Sequence, residues 1–340
     1  MRMRFVIDLD GTICKLKRPN EVYSEVAPIE DVIDTIQKAH SRGDEIIIYT
    51  ARGMRTYDGD VERITENVRP VIEKWLEENN VPYDSLIVGK PWAGYIGYYV
   101  DDRALTPQEF VRYTPSTLIV TLGGRSSRFS SLKYIREIDG RTMLENAVGS
   151  LDLRFFDNII FAVVREHEER FNISKLIFER FSKASIFLLD DFTSSQSETV
   201  ATVVRTLNIT GQITIRDCDN RIQIGQIPKG NSVAGYELRY TDDPYQHINK
   251  SFILHKNGII SSIVEKNLAG FTISCGCYTF SEAQEFLRYY DSTRCTGEKY
   301  ISVIIDAMLR DGRRFDYIQS PIFDDWGTEE SLEKYLEGKE

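Results

Sequence analysis

Two aspartates separated by one residue, Asp8 and Asp10, come at the end of an apolar, β-branched run that begins at Arg4. Gly11 and Thr12 follow at once and open a turn, the position at which open α/β sheets place their ligands. A carboxylate nucleophile needs a second carboxyl two residues on, to protonate the leaving group and later to activate water. The spacing therefore fits covalent phosphoryl transfer, and two exposed acids at a strand end favour a magnesium ion.

Three further apolar runs end in residues that suit the same chemistry. Thr50 ends EIIIYT and offers a hydroxyl and a backbone N–H to phosphoryl oxygens, and Lys90 follows SLIVG and offers a cation. Asp101 and Asp102 follow YYV and offer oxygen ligands to a metal. We expect these four strand ends to lie together at one edge of a sheet.

The four motifs FVIDLDGT, IYTAR, GKP and YVDD resemble, in order, those of the haloacid dehalogenase superfamily. The stretches TARGMRTYDGD and WLEENNVPYDSLIVGKPWAGYIGYYVDDRA resemble the small capsule-biosynthesis phosphatases of that superfamily, over residues 1–112. The resemblance implies a magnesium-dependent phosphatase without a large cap domain. It implies these roles: Asp8 as nucleophile, Asp10 as acid/base, Thr50 and Lys90 as phosphoryl binders, and Asp8, Asp10, Asp101 and Asp102 as metal ligands. Arg52 has two open interpretations, binding of the substrate's distal anion or pairing with an acid.

A second set of candidate residues follows the apolar run Ser116–Leu122, in the segment LGGRSSRFSSLK. Gly123 and Gly124 let the backbone approach a triphosphate, while Arg128 and Lys133 can neutralise phosphate charge. A glycine pair alone is weak support for a nucleotide site. The segment continues as EIDGRTMLENAV, and together they resemble the signature of the sugar-phosphate nucleotidyltransferases.

The resemblance to the nucleotidyltransferases covers residues 116 to about 335 and implies a set of site residues. The nucleotide would be bound by Leu122, Gly123, Gly124, Arg125 and Ser126, and the base by the QSET turn with Gln196 and Thr199. IVEKNLAGFTISCGCYTF resembles the family's sugar-pocket segment, with Glu265, Lys266 and Gly276 at matching places. The loop departs from the common family pattern at Ser126, Ser131 and Leu132.

The resemblance also implies a metal site on two acids. ITIRDCDN offers Asp217 and Asp219, and we favour Asp219 because the family's acid is commonly followed by Asn, here Asn220. DDWGTEESL supplies Asp325 as the second acid. A substrate phosphate would attack the α-phosphorus of the nucleotide, magnesium on Asp219 and Asp325 would bridge oxygens, and the catalytic cations Arg128 and Lys133 would stabilise the leaving pyrophosphate.

The elements that must position these residues alternate as in an α/β protein. Strands are predicted at RFVIDL, EIIIYT, SLIVG, YYVDD, STLIVTL, NIIFAVV, SIFLLD and QITIRD. Helices are predicted near residues 29–41, 60–79, 142–150, 167–181 and 198–207. The fold class predicted is α/β with two doubly wound domains: a capless Rossmannoid phosphatase domain at 1–112 and a nucleotidyltransferase domain (GT-A/Rossmann-like) at 116–340. The join falls near Tyr113–Ser116, where Pro115 discourages helix.

Length, charge and cysteine content restrict the number of domains, the kinds of ligand and the cellular location that the sequence predicts. The 340 residues fit two domains of roughly 150 residues each. A net charge of −10 argues against a broad nucleic-acid or anionic-membrane surface and favours small anionic ligands. Five cysteines without a CxxC pair suggest neither a disulfide framework nor a zinc site, so a reducing cytoplasm is expected. The apolar run near the start stops at Asp8, short of a signal-peptide core, and no membrane insertion is expected.

The sequence thus predicts a bifunctional cytoplasmic enzyme with Mg²⁺ as cofactor, and a homo-oligomer is favoured over a single chain. Its partners would be a nucleoside triphosphate, with CTP favoured, and a sugar or polyol phosphate for surface polysaccharide. One alternative keeps the phosphatase active and makes the C-terminal domain a nucleotide-sugar-binding regulatory scaffold. Another is a non-enzymatic nucleotide-sugar sensor, which the complete acid sets in both clefts disfavour.

Overall fold

A computed structural model describes residues 3–94, 96–124, 132–239 and 244–337. The chain divides into two compact units, Met1–Tyr113 and Thr114–Glu340. Among the described residues, no helix is both long enough and apolar enough to cross a membrane.

The first unit contains a parallel sheet whose described strands pair in the order β1-β2-β3. Its strands are β1 (Arg4–Ile7), β2 (Glu45–Thr50) and β3 (Ser85–Val88). Its helices are α1 (Glu30–Ser41), α2 (Val61–Asn67), α3 (Arg69–Glu78) and α4 (Pro107–Val111). The first three predicted strands are therefore confirmed, and all three point their carboxyl ends at the same edge of the sheet.

The two faces of this sheet differ in burial. Ile7, Ile48 and Leu86 lie on one face and are buried with apolar residues of all four helices. Val6 and Ile87 lie on the opposite face, where their side chains are 59% and 46% exposed. Parallel sheets are normally covered on both faces. In the described part of this unit the helices bury one face only, so the doubly wound arrangement predicted for it is not what the structure displays.

Two predictions for the first unit were wrong in detail. The segment YYVDD, predicted as a strand, is not part of any strand, and Tyr98, Tyr99 and Val100 are exposed. The helix predicted over residues 60–79 is two helices, α2 and α3, that meet at Val68. Pro70 stands in the first turn of α3, where its missing N–H is tolerated, whereas in the middle of one long helix it would remove a hydrogen bond.

The second unit contains a nine-stranded mixed sheet in its described residues, with strand order β11-β15-β13-β12-β14-β9-β4-β7-β8. The strands of this unit are β4 (Ser116–Leu122), β5 (Glu137–Ile138), β6 (Arg141–Thr142), β7 (Asn158–Val164), β8 (Ala184–Leu189), β9 (Gln212–Arg216), β10 (Asn220–Ile222), β11 (Ser232–Glu237), β12 (Ser251–Lys256), β13 (Ile259–Glu265), β14 (Thr272–Phe280), β15 (Asp316–Gln319) and β16 (Phe323–Asp325). β5 pairs with β6, and β10 pairs with β16, outside the large sheet.

The helices of the second unit are α5 (Met143–Val148), α6 (Arg165–Phe171), α7 (Ile173–Arg180), α8 (Gln196–Leu207), α9 (Ala283–Ser292), α10 (Ile301–Arg310) and α11 (Glu329–Glu337). The helix predicted near residues 167–181 is two helices, because Asn172 between them adopts the left-handed conformation with φ 50°. Thr142, predicted inside a helix, precedes α5 and forms a capping box with Glu145.

The parallel half of the large sheet consists of β9, β4, β7 and β8. Successive residues of β4 enter two different apolar clusters, Ile119 in one and Leu118 with Val120 in the other. Both faces of this half are therefore covered, which explains why the sequence of β4 is almost continuously apolar. The carboxyl ends of β4 and β9 meet at the same edge, where a ligand would be expected.

Candidate functional sites

The second unit contains a cavity of about 780 Å³ at the carboxyl ends of β4 and β9. Its lining includes most of the residues that the sequence assigns to nucleotide and sugar binding: Leu122, Gly123, Gly124, Lys133, Gln196, Thr199, Asp217, Asp219, Glu265, Lys266 and Gly276. Arg125, Ser126 and Arg128, together with Ser131, lie outside the described residues. The structure thus brings these residues to one concave site, whereas Asp325, the second predicted metal acid, is not part of its lining and contacts the lining residue Lys250.

Two acids of this site are brought together by the small β10–β16 ladder. Asn220 pairs with Asp325 in this ladder, and the backbone N–H of Trp326 donates to the carbonyl of Asp219 at 2.9 Å. A methyl group placed on Gly327 would lie 3.2 Å from Asp325 Oδ1 and 3.4 Å from Asp219 Oδ2. Both carboxylates therefore lie close to Gly327, and their role as a metal-binding pair stays a prediction.

Each of these acids is paired with a lysine. Lys133 Nζ donates to Asp219 Oδ2 at 2.5 Å, and Lys250 Nζ lies 2.8 Å from Asp325 Oδ2. Burial lowers the pKa of Lys250, but the negative charges of Asp325 and Asp219 outweigh burial and raise it above its usual value. Sequence reasoning missed Lys250, because it is a single lysine before a strand and belongs to none of the motifs.

Asp217 lines the same cavity and has a different environment. Burial first, and then the charge of Asp219, raises the pKa of Asp217 to about 6. Gln196 Nε2 donates to Asp217 Oδ1 at 2.5 Å and to Thr121 Oγ1 at 3.0 Å. Gln196, predicted to recognise a base, therefore also links the end of β4 to the acid at the end of β9.

At two positions of the cavity lining, Gly276 and Gly123, neighbouring side chains come too close to leave room for a Cβ atom. A methyl group on Gly276, whose φ is +67°, would lie 2.0 Å from Asp217 Oδ2. A methyl group on Gly123 would lie 2.7 Å from Thr199 Oγ1, so Gly123 allows the first turn of α8 to approach the end of β4. Thr199 is itself buried, and its hydroxyl shares a 2.6 Å hydrogen bond with Thr193. The structure thus gives Gly276 and Thr199 packing roles besides their place on the cavity lining.

The cavity is also lined by Glu265 and Lys266, two of the predicted sugar-pocket residues. Glu265 Oε2 accepts hydrogen bonds from Ser251 Oγ and Ser302 Oγ, both at 2.5 Å, which fixes this carboxylate between β12 and α10. Lys266 has a φ of +49° and donates to the hydroxyl of Tyr300. A fixed carboxylate and a lysine held at its tip are suited to bind the hydroxyl and phosphate groups of a small phosphorylated acceptor.

The acid pair fits a magnesium ion, because Mg²⁺ is commonly held by one or two carboxylates together with substrate phosphate oxygens. Asp219 and Asp325 are the residues that would hold it. Among the described residues, no group of three or more His, Cys, Asp or Glu side chains is arranged to bind a metal. A metal at this site would therefore need oxygens from the nucleotide.

The first unit places the predicted acids Asp8 and Asp10 beside two cations. Lys90 Nζ lies 3.2 Å from Asp8 Oδ1, and Arg52 contacts Asp10 through Nη2 at 2.7 Å and through Nε at 3.1 Å. Burial raises the pKa of Asp8, and the nearby Lys90 opposes this rise. Of the two interpretations of Arg52, pairing with an acid is the one observed, and its side chain is buried.

One atom of Arg52 has no hydrogen-bond partner in the described residues, namely the buried Nη1. The guanidinium also lies 4.4 Å above the ring of Tyr23. An Arg donor left over beside Asp10 is suited to an anionic oxygen of a substrate. Thr50 is fully buried, and its hydroxyl accepts from the backbone N–H of Arg52 at 3.1 Å.

Asp101 and Asp102 do not join Asp8 and Asp10 in the described part of the chain. Both are exposed, and Asp101 Oδ1 accepts from the backbone N–H of Arg103 at 2.8 Å in a local turn. The four-acid metal site expected at the edge of this sheet is therefore not assembled within the described residues, because the strand that was to carry two of the acids is not formed.

No protein-family model matches the sequence, and a search of curated proteins finds no match. Solved structures do match. The nucleoside-diphosphate-sugar pyrophosphorylase from Vibrio cholerae RC9 is 20% identical, covers 65% of this chain and 99% of its own, and has a TM-score of 0.56. The inositol-1-phosphate CTP transferase from T. maritima is 10% identical, covers 66% of this chain and 94% of its own, and has a TM-score of 0.54.

These two likenesses show an α/β fold of the nucleotidyltransferase kind over about two thirds of the chain. A further match, a Vibrio cholerae protein described without a function, is 44% identical and covers 33% of this chain and 89% of its own. Its TM-score of 0.31 is too low to support an inference about the fold of the first unit.

Proposed function

We propose that the second unit transfers a nucleoside monophosphate from a nucleoside triphosphate to a sugar or polyol phosphate and releases pyrophosphate. The observation that carries this proposal is the pair of acid–lysine contacts, Lys133 with Asp219 and Lys250 with Asp325, of which Lys133, Asp219 and Lys250 line the cavity. Converging carboxylates suit a divalent ion, and the lysines suit the phosphate oxygens that such an ion shares.

In the proposed reaction an oxygen of the acceptor phosphate forms a bond to the α-phosphorus, and the bond from that phosphorus to the bridging oxygen of the β-phosphate breaks. Both electrons of the broken bond leave with pyrophosphate, so no protein nucleophile is needed. Mg²⁺ on Asp219 and Asp325 supplies positive charge to the transferring phosphate when it is bound. Lys133 stabilises the charge of the leaving pyrophosphate, and the catalytic Arg128 of the sequence prediction would share this role.

The acceptor and the base are the finer parts of the proposal. Glu265 and Lys266 line the same cavity as Asp219, which supports an acceptor with both hydroxyls and a phosphate. CTP is proposed as the donor, as favoured from the sequence. A fold neighbour described as an inositol-1-phosphate CTP transferase gives this choice limited support, since its 10% identity concerns the fold alone.

Pyrophosphate release tests this proposal directly. The assay uses Mg²⁺, each of four nucleoside triphosphates in turn, and a panel of sugar and polyol phosphates. It is run in the Asp8→Asn background, so that the first unit cannot consume the acceptor. Release with one nucleotide and one acceptor is expected. Silence across the panel, while the wild-type chain still releases phosphate from phosphomonoesters, would favour the alternative in which this unit is a regulatory scaffold that binds nucleotide sugars.

For the first unit we propose hydrolysis of a phosphomonoester through an aspartyl-phosphate. Asp8 would attack phosphorus and Asp10 would protonate the leaving oxygen and then activate water. Three contacts support this: Lys90 beside Asp8, Arg52 beside Asp10, and the unpartnered Nη1 of Arg52 in the described structure. Release of inorganic phosphate from a panel of phosphomonoesters tests it, and the Asp8→Asn variant should release none.

The two activities together suggest a place in the synthesis of an activated sugar or polyol for a surface polysaccharide, in the cytoplasm. Hydrolysis of the very phosphate that the second unit activates would be futile. We therefore propose that the substrate is a bisphosphate, which loses one phosphate in the first unit and couples the other in the second, or that the two units act on separate pools. If the first unit efficiently hydrolyses the acceptor's own coupled phosphate, the sequential scheme fails.

A further inference from the structure

The arginine at the end of β9, Arg216, is fully buried and is not among the residues that the sequence assigned to the site. Its neighbours in the sheet, Val120 on β4 and Cys277 on β14, are buried as well. Removing a charged group from water is unfavourable unless its hydrogen bonds are satisfied. An apolar side chain would fill this place without that cost, so packing alone does not account for Arg216.

The guanidinium of Arg216 closes the loop between β9 and β10. Its Nη2 donates to the carbonyl of Asn220 at 2.7 Å, and its Nη1 donates to the side-chain Oδ1 of the same residue at 2.8 Å. Arg216 is the last residue of β9 and Asn220 is the first of β10, so this fork joins the two ends of a loop that consists of Asp217, Cys218 and Asp219. Two hydrogen bonds from one planar group fix both the distance and the orientation of Asn220.

Further contacts of the same guanidinium tie this loop to the elements around it. Nε donates to the carbonyl of Ala147 in α5 at 3.2 Å, and Nη1 also donates to the carbonyl of Gly276 in β14 at 3.3 Å. The Gly276 carbonyl accepts the backbone N–H of Asp217 at 2.9 Å as well. Arg216 therefore connects the loop to a helix and to a strand of the large sheet at once.

Asn220 connects this loop to the second acid. In the β10–β16 ladder Asn220 pairs with Asp325, and the backbone N–H of Trp326 donates to the carbonyl of Asp219. Arg216 thus holds the first residue of the strand that aligns Asp325. The hydrogen bonds of Arg216 described above all end on uncharged oxygens, so it acts on the two acids through the backbone and not by direct contact.

We propose that Arg216 is a positioning residue for the acid pair Asp219 and Asp325. Because it closes the loop after β9 and fixes the start of β10, it holds both carboxylates where a divalent ion bound with the nucleotide can use them together. Replacing a residue that orients metal-binding carboxylates through hydrogen bonds commonly weakens metal binding. This inference rests on the function proposed for the second unit, because it concerns the metal site of the same reaction.

Binding of Mn²⁺, a paramagnetic substitute for Mg²⁺, tests this inference without turnover. Full-length chains are titrated with Mn²⁺ and an α,β-methylene nucleoside triphosphate, tried with each of four bases, and free Mn²⁺ is measured by electron paramagnetic resonance. The binding that Asp219→Asn removes defines the ion of this site. Arg216→Lys keeps the positive charge but cannot make both bonds to Asn220, so we expect an affinity about tenfold lower. Unchanged affinity in a folded Arg216→Lys chain would overturn the proposal.

Two further variants separate positioning from general stability. Asn220→Ala removes the Oδ1 acceptor and keeps the backbone carbonyl, so its affinity for Mn²⁺ should also fall, and its effect should be less than additive with that of Arg216→Lys. Phe286→Leu, in the apolar cluster on the other side of the sheet, is the matched control and should lower thermal stability without changing Mn²⁺ binding. If Arg216→Lys does not fold, Asn220→Ala decides, and binding equal to the wild type would then overturn the proposal.

The outcomes distinguish this inference from the proposed transfer. A wild type that binds Mn²⁺ as weakly as Asp219→Asn would overturn the inference. Binding weakened in Arg216→Lys and unchanged in Phe286→Leu, from a wild type that releases no pyrophosphate, would support the positioning role and refute the transfer. In an active wild type, Arg216→Lys should need about tenfold more Mg²⁺ for half-maximal pyrophosphate release, and an unchanged requirement would overturn the positioning role.

Discussion

Lys250 Nζ and Asp325 Oδ2 lie 2.8 Å apart, and the lysine is the member of this pair that no sequence motif indicated. The contact joins residue 250, before β12, to residue 325, at the end of β16. It therefore provides a fixed positive charge beside the acid that we propose as a magnesium ligand.

Replacing this lysine should affect both stability and transfer. In Lys250→Gln, Asp325 loses its cation in a partly buried place, so the free energy of unfolding without Mg²⁺ should fall by about 1–2 kcal/mol. Pyrophosphate release should fall with it. Chemical denaturation measures the first effect, and added Mg²⁺ should reduce the difference from the wild type because it replaces the missing charge. Lys256→Gln, at the exposed end of β12, is the control and should change neither.

Gly276→Ala tests the close approach between β14 and Asp217. The added methyl group would overlap the Asp217 carboxylate, and alanine is strained at a φ of +67°. We expect a loss of about 2–4 kcal/mol in the free energy of unfolding and a loss of nucleotide transfer. Thermal unfolding and pyrophosphate release check both. Gly225→Ala is a suitable control, because open space surrounds that glycine, and a matching loss in the control would refute the explanation.

The raised pKa of Asp217 predicts a pH-dependent difference in stability. Because its pKa is higher in the folded chain than the ordinary 3.8, the stability contributed by the protonated carboxyl is present below that value. It is lost as the pH rises to about 6 and beyond. Asp217→Asn removes this loss, so its free energy of unfolding relative to the wild type should increase between about pH 4 and pH 7 and then level off. A difference that is constant with pH would contradict the assignment.

Substitution of one acid in each unit should separate the two proposed activities. Asp10→Asn removes the proposed general acid and should lower phosphate release by about 10²–10⁴-fold without changing pyrophosphate release. Asp219→Asn should lower pyrophosphate release without changing phosphate release, since it removes one of the two carboxylates proposed to hold magnesium. Both assays are run on both variants. Loss of both activities in either variant, from a chain that unfolds as the wild type does, would refute two independent sites.

The sequence predicts features that depend on a local pattern of residues better than contacts between residues far apart in the chain. Strand β4 and its glycines were predictable because a buried parallel strand is apolar throughout and is followed by a ligand-binding turn. The Asp219–Asp325 pair could be named only from a family resemblance, since 106 residues of chain separate two acids that meet through a three-residue ladder. Lys250 could not be predicted, because its role depends on a long-range contact.

The wrong prediction at YYVDD has a different cause. A β-branched and aromatic run indicates the capacity to form a strand, but it does not determine which contacts the segment makes. In the described chain Tyr99 is held by Pro91 and Lys90 instead of by β1. The prediction of one helix over residues 60–79 was wrong for a reason that the sequence contains. Pro70 marks the start of a new helix, α3.

The position of β16 gives the C-terminal residues an importance that the large sheet alone would not suggest. All nine strands of that sheet lie before Ser320, whereas Asp325 lies on β16, which pairs with β10. The scaffold of the second unit and its acid pair are thus separable along the chain. A chain shortened to Gln319 would retain every strand of the sheet and lose half of the proposed metal site, so we expect proteolysis or a frameshift there to abolish the proposed transfer while the strands of the sheet remain.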